Sequence, residues 1–197
     1  AAGVEDLGIG FTLLDANVQD LEAVHQFAES RDLPLSVTVA FDSPIYFGND
    51  KQSMRPQNGH ALRQAMSQVI AVQRRKWDLK ENFRAWFNKT LLEYHETGTR
   101  RYRCDGGSGF FYMDSFANVF LCHILDVKIG NLREQTWDEL WASEAAVAAR
   151  DFAARCESCW LICTSKSQIM AHKWEVGGEM LRDTTRMRLG LTRPGAT

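Results

Sequence analysis

The chain has 197 residues, 45% hydrophobic and 24% charged, and its 23 Lys and Arg nearly balance its 25 Asp and Glu to leave a formal net charge of −2. That is the composition of an ordinary soluble globular protein with one sizeable core or two small ones. It gives no general pull toward nucleic acid or an acidic membrane, and no apolar run approaches the roughly 20 residues needed to span a bilayer.

The chain opens Ala1-Ala2-Gly3-Val4 without methionine and passes almost at once into a strand-like run, Leu7 to Leu14. It reads as a piece of a longer protein. With no charged segment, apolar stretch and small-residue cleavage site at its head, secretion is not expected. Asn17 is placed as an N-cap for a helix from about Val18 to Arg31, with Val18, Leu21, Val24, His25 and Ala28 on one face. Leu33-Pro34 ends that helix, and the β-branched run Leu35 to Phe41 reads as a second strand. Strand, crossover helix and strand imply a parallel pair, as in an α/β barrel or an open sheet. One such unit cannot cover both faces of a parallel sheet, so further strands, or a partner that supplies them, are expected. Gly8 and Gly10 lack the third glycine of a phosphate loop and continue as strand.

From Pro44 to Asn58 the chain turns to Gly, Asn, Pro and Ser, with a turn at Tyr46-Phe47-Gly48-Asn49, and reads as a connection over the top of the sheet. Leu62, Met66, Val69 and Ile70 then recur at helical spacing, and Leu79, Phe83, Trp86, Phe87, Leu91 and Tyr94 do so again. These are two helices with apolar faces for a core, each large buried side chain contributing roughly 2 kcal/mol. His60 and His95 fall at helix ends, in solvated or capping positions. The basic runs Arg74-Arg75-Lys76 and Arg100-Arg101 read as solvated faces.

All five cysteines lie between Cys104 and Cys163. An odd number so clustered fits a reducing compartment, the cytoplasm, and metal binding better than a disulfide framework. Gly109 to Met113 and Val119 to Cys122 are strand-like and flank a turn at Asp114 to Asn118, which puts Cys104 before one strand and Cys122 at the end of its partner. Ile129-Gly130-Asn131-Leu132 leads to Thr136-Trp137-Asp138-Glu139, a capping box. The helix behind it buries Trp137, Leu140, Trp141, Val147 and Ala148 and delivers Cys156-Glu157-Ser158-Cys159. Four thiolates suit zinc or an iron–sulfur cluster. One pair is split by a hairpin where structural zinc sites use two C-x-x-C knuckles, which tilts the reading toward a cluster. His123 is a ligand, a donor to one, or a neutral surface residue; Asp105 and Asp114 are acid/base groups or turn formers; Arg103 offsets thiolate charge. After Thr164 the tail carries His172, Trp174 and the basic residues Arg182, Arg186, Arg188 and Arg193, with one or two helices that fray near Pro194-Gly195.

Cys104, the strand-turn-strand from Phe110 to Cys122, Ile129 to Leu132, Trp137-x-x-x-Trp141 and Cys156-x-x-Cys159 together resemble the auxiliary-cluster domain of radical SAM enzymes, the SPASM or shorter twitch domain, over about Arg101 to Ser167. The βαβ unit is similar to the last part of the partial (β/α)6 barrel that precedes such domains. The resemblance implies an α/β chain in four parts: a C-terminal barrel fragment at 1–57, a helical linker at 58–100, a small α+β SPASM/twitch domain at 101–167 and a helical tail at 168–197. It also implies an auxiliary 4Fe–4S cluster on Cys104, Cys122, Cys156 and Cys159, with Cys163 spare or an alternative ligand.

For the whole enzyme the resemblance implies S-adenosylmethionine, a second 4Fe–4S cluster, a reductant such as ferredoxin or flavodoxin, and hydrogen abstraction by an adenosyl radical from a peptide or small-molecule substrate. Three departures stand out. The C-x-x-x-C-x-x-C motif of the catalytic cluster is absent, so this chain alone is not expected to cleave the cofactor, and the missing barrel half is an expected partner. Five cysteines cannot supply the seven-cysteine SPASM pattern. Ala117 stands where the hairpin turn usually has glycine, at a cost of roughly 1 kcal/mol if that backbone is left-handed. The alternatives are a self-contained zinc or iron–sulfur module for binding or electron transfer, and a structural domain with buried thiols.

Overall fold

A computed structural model describes residue 3, residues 7–48 and residues 53–191. The opening Ala1, Ala2 and Val4, the turn residue Asn49, and Arg193, Pro194 and Gly195 lie outside the described residues. The chain divides into two compact units, Ala1–Ala40 with Arg55–Thr97 and Trp174–Thr197, and Phe41–Met54 with Gly98–Lys173.

In the first unit, β1 (Ile9–Leu13) and β2 (Leu35–Val39) pair in parallel with Ile9 opposite Leu35 and Leu13 opposite Val39. Alternation along β2 buries Leu35, Val37 and Val39, the period-two pattern of a pleated strand. The crossover is α1 (Leu21–Ser30), which buries Leu21, His25 and Ala28. It starts later than the sequence suggests. Asn17 does not cap it; its Oδ1 accepts from Leu14 N at 2.8 Å and its Nδ2 donates to Thr12 O at 3.0 Å. The side chain thus closes the end of β1, and a single 3-10 turn, Val18–Asp20, intervenes before α1. Among the described residues the sheet has two strands and no closed barrel forms.

Helices α2 (Gly59–Arg75) and α3 (Leu79–Thr97) pack on each other through the apolar faces expected of them. Leu62, Met66, Val69 and Ile70 meet Trp86, Phe87, Leu91 and Leu92, all buried. Leu79 does not join them and is 77% exposed, since it sits in the first turn. His60 is exposed, whereas His95 is half-buried, bonds to the backbone of Pro56, and has its pKa lowered by burial. The tail helix α7 (Lys173–Arg188) returns to this pair: Trp86 Nε1 donates to Glu179 at 2.8 Å, and Arg74 and Lys89 both reach Asp183 Oδ2, at 2.8 and 3.1 Å. Arg74 is therefore no solvated face. Lys76 pairs with Glu29 at 3.2 Å.

In the second unit, β3 (Tyr112–Met113), β4 (Asn118–Phe120) and β5 (Lys128–Asn131) form an antiparallel meander. The strands are shorter than their apolar runs because Gly107 N returns to Phe110 O at 2.7 Å and Gly106 bridges Phe110, which spends residues 106–110 on a turn. The connection after β2 is divided: Phe41–Met54 groups with this unit, where Ser43 Oγ donates to the carbonyl of His123, while Gln57 N and Asn58 N donate to the carboxylate of Asp15, just past the end of β1. The capping box forms as read, with Thr136 and Glu139 bonded reciprocally. The helix behind it breaks at Ser143 into α4 (Trp137–Ala142) and α5 (Glu144–Ala153), because Ser143 Oγ accepts from Ala146 N and starts a new helix. The break shifts the buried face to Leu140, Ala146, Ala149 and Ala153, and leaves Trp137 and Val147 exposed at 37% and 46%. Helix α6 (Ile162–Ala171) follows the last cysteines.

Candidate metal centre

The site is assembled from three segments of the second unit. Cys104 precedes a tight turn in which its Sγ accepts from Gly106 N at 3.4 Å and the Asp105 carbonyl accepts from Ser108 N and Gly109 N at 2.9 and 2.7 Å. Gly107 has φ +71 there, with Leu121 and Arg150 3.1 Å from where a Cβ would stand, so both conformation and space require glycine. The Asp105 carboxylate accepts from Ser167 Oγ and Gln168 Nε2, pinning this turn to α6. Cys122 follows β4, where the backbone N–H groups of Ile124 and Leu125 point to its sulfur. Cys156 and Cys159 leave the end of α5, and Thr164 Oγ1 lies 3.4 Å from Cys159 Sγ.

Cys104, Cys122 and Cys159 are buried and Cys156 is half-buried. Cys104 and Cys156 share a hydrogen bond, which pulls Cys156 down to about 5 and pushes Cys104 well up. Cys122 and Cys159 pack together with Ile124 and Leu161 in an apolar cluster that Phe110 also touches, and Phe110 packs against the Cys104 cluster as well. Burial pushes the Cys122 and Cys159 thiols up, as desolvation of a would-be anion must.

Hydrogen bonds to the sulfurs oppose burial at these four positions, and a buried cation adds to them. Arg100, 5% exposed, draws Cys104, Cys122, Cys156 and Cys159 toward ionisation. Its Nη1 is 3.6 Å from Cys159 Sγ. Read as part of a solvated basic run, Arg100 is instead buried against Cys159; Arg103, expected to offset thiolate charge, is exposed. From Arg100 to Cys104 the segment, which forms no strand, alternates buried and exposed, with Arg100, Tyr102 and Cys104 inward and Arg101 and Arg103 outward.

Cys163, in the first turn of α6, is exposed and lies 3.7 Å from His123 Nε2. Although the residue is exposed, partial desolvation of its sulfur raises its pKa, and the charge that acts on it is that of Cys122. His123 is half-buried, its pKa lowered by burial, with Phe41 and Tyr46 edge-on at centroid distances of 5.8 and 5.9 Å. Asp114 is a turn former: its carboxylate accepts from Asn118 Nδ2 and from the N–H groups of Phe116 and Asn118, and these bonds lower its pKa. His172 stacks on Tyr102 at 4.2 Å.

A donor set of cysteine sulfurs suits zinc or iron–sulfur chemistry. Among the described residues, no three His, Cys, Asp or Glu side chains converge closely enough to hold one metal ion.

Residues 104–160 match the family model of SPASM, an iron–sulfur cluster-binding domain. The match relates this part of the chain to SPASM domains. Among solved structures, a polyhistidine-tagged anSMEcpe with bound AdoMet is similar at 17% identity and a TM-score of 0.47, covering 80% of this chain and 43% of its own. Native anSMEcpe with bound AdoMet and a peptide gives 16% and 0.44, covering 80% and 46%. The chain thus spans less than half the length of these proteins. No curated protein matches it at the significance required. No helix among the described residues is long and apolar enough to cross a membrane.

Proposed function

We propose that this chain, whose residues 104–160 match the SPASM family, holds one auxiliary 4Fe–4S cluster on Cys104, Cys122, Cys156 and Cys159 as part of a radical SAM oxidoreductase. The observation that supports the ligand set is burial: Cys104, Cys122 and Cys159 are buried and Cys156 half-buried among two adjoining apolar clusters, whereas Cys163 is exposed beside His123. Cys163 is the spare thiol. When bound, the cluster supplies one-electron chemistry and cross-links three segments that are distant in sequence. The chain's own residues do the rest: Ile124 and Leu125 N–H groups and Thr164 Oγ1 face the sulfurs, and Phe110, Ile124 and Leu161 exclude water around them.

The parallel β1–β2 pair with its crossover helix is the contribution of this chain to a partial barrel, within a division into barrel part, helical linker, cluster domain and tail. S-adenosylmethionine, the catalytic cluster and hydrogen abstraction from a peptide or small-molecule substrate belong to the whole enzyme. Its catalytic C-x-x-x-C-x-x-C motif is not in this sequence. A ferredoxin or flavodoxin is the expected class of reductant, and the chain alone is expected to be inactive.

Single Cys→Ala variants, reconstituted anaerobically with iron and sulfide, test the ligand set. Iron should fall by about a quarter or more in the Cys104, Cys122, Cys156 and Cys159 variants, since losing one of four thiolates uncouples one iron of four from the protein. The Cys163→Ala variant should keep the wild-type content. Loss of iron from Cys163→Ala with retention in Cys156→Ala would show that the wrong sulfur has been assigned.

A further inference from the structure

The side chain of Arg100 has five N–H groups, and all five have acceptors. Nε donates to Tyr102 O at 3.2 Å, Nη1 to the carbonyl of Cys159 and to its Sγ, and Nη2 to Thr164 O at 3.1 Å and Ser165 Oγ at 3.3 Å. The ring of Trp160 lies 5.3 Å from the guanidinium carbon. Three carbonyls, a hydroxyl and a thiol are uncharged, and the Glu157 carboxylate is taken up by the backbone N–H of Arg100. A buried cation whose hydrogen bonds all go to neutral groups is costly. Thiolate charge is what would balance it.

We propose that Arg100 sets the reduction potential of the group held by the four cysteines, raising it through its hydrogen bond to the Cys159 sulfur and its fixed, buried positive charge. This rests on the cluster reading above. One-electron reduction adds a negative charge to a site already net negative from four thiolates, with the electron taken from a chemical reductant such as dithionite. A cation at hydrogen-bond distance from a ligand sulfur stabilises the reduced form more than the oxidised form, and hydrogen bonds to the sulfurs are a recognised determinant of cluster potential. Arg100 is a positioning and tuning residue; its role needs no contact with substrate. The five bonds leave the guanidinium no freedom to swing away, so its charge stays in place in both redox states.

The test is a spectroelectrochemical titration of the reconstituted 197-residue chain and its Arg100→Gln and Arg100→Lys variants, with iron and sulfide assayed on each sample. Gln keeps an N–H donor and removes the charge; Lys keeps the charge and cannot reproduce the fork. The midpoint should drop in Arg100→Gln by on the order of tenfold in the reduction equilibrium, or ~59 mV for a one-electron couple. It should drop by less in Arg100→Lys. Unchanged midpoints at wild-type iron content overturn the proposal. If Arg100→Gln does not retain iron, Arg100→Lys decides: a lowered midpoint supports the proposal and a wild-type midpoint overturns it. Wild-type protein that takes up zinc without sulfide overturns the cluster reading itself, a result distinct from an iron–sulfur protein whose potential ignores Arg100.

Discussion

Ala117 has φ 64, in the left-handed region that a Cβ disfavours. The hairpin keeps it there because Asp114 draws three donors from Phe116 and Asn118 inward, and because Leu132 N reaches back to Ala117 O at 3.0 Å. Ala117→Gly removes the steric strain at the cost of a more flexible unfolded chain. The balance should stabilise the protein by about 1 kcal/mol, read as a raised midpoint of denaturant unfolding; a lowered midpoint would show that the turn is not strained. This position was legible in the sequence, since the turn pattern asks for glycine there. Arg100 was not, because a pair of arginines next to a helix end looks solvated. Asn17 misled for a related reason: its side chain can serve a helix start or close a strand end, and composition does not choose between them.

The elements that came through most clearly are those whose signal is local. Thr136 and Glu139 form the capping box expected of them, and both the side-chain and backbone halves are made. Thr136→Ala should cost about 1 kcal/mol and should leave the iron content unchanged, because α4 supplies no sulfur. A loss of iron in that variant would tie the cap to the site more directly than the geometry does. The break at Ser143 was harder to see: residues 137–153 read as one helix, and one capping serine divides them and rotates the buried face. Strand β5 was likewise missed as a partner of β4, since four residues with one glycine carry little β signal apart from the pairing itself. The tail announced its helices but not that α7 packs on α2 and α3, because the Asp183 and Glu179 contacts are long-range.

At the scale of the molecule, the cysteine spacing carried more than the composition did. It placed all five cysteines in one unit of the chain, where Cys104 and Cys156 belong to one apolar cluster, Cys122 and Cys159 to another, and Arg100 bonds the Cys159 sulfur. The βαβ unit was legible from strand and helix lengths alone, and its parallel register follows from the crossover. Sequence spacing does not decide between one metal ion and a cluster, since both accept thiolates. The most direct measurement is an assay of iron, acid-labile sulfide and zinc on the anaerobically reconstituted chain. A 4Fe–4S centre on these cysteines predicts about four irons and about four sulfides per chain with charge-transfer absorption in the visible; about one zinc per chain without sulfide, the stoichiometry of a structural zinc site, would contradict it.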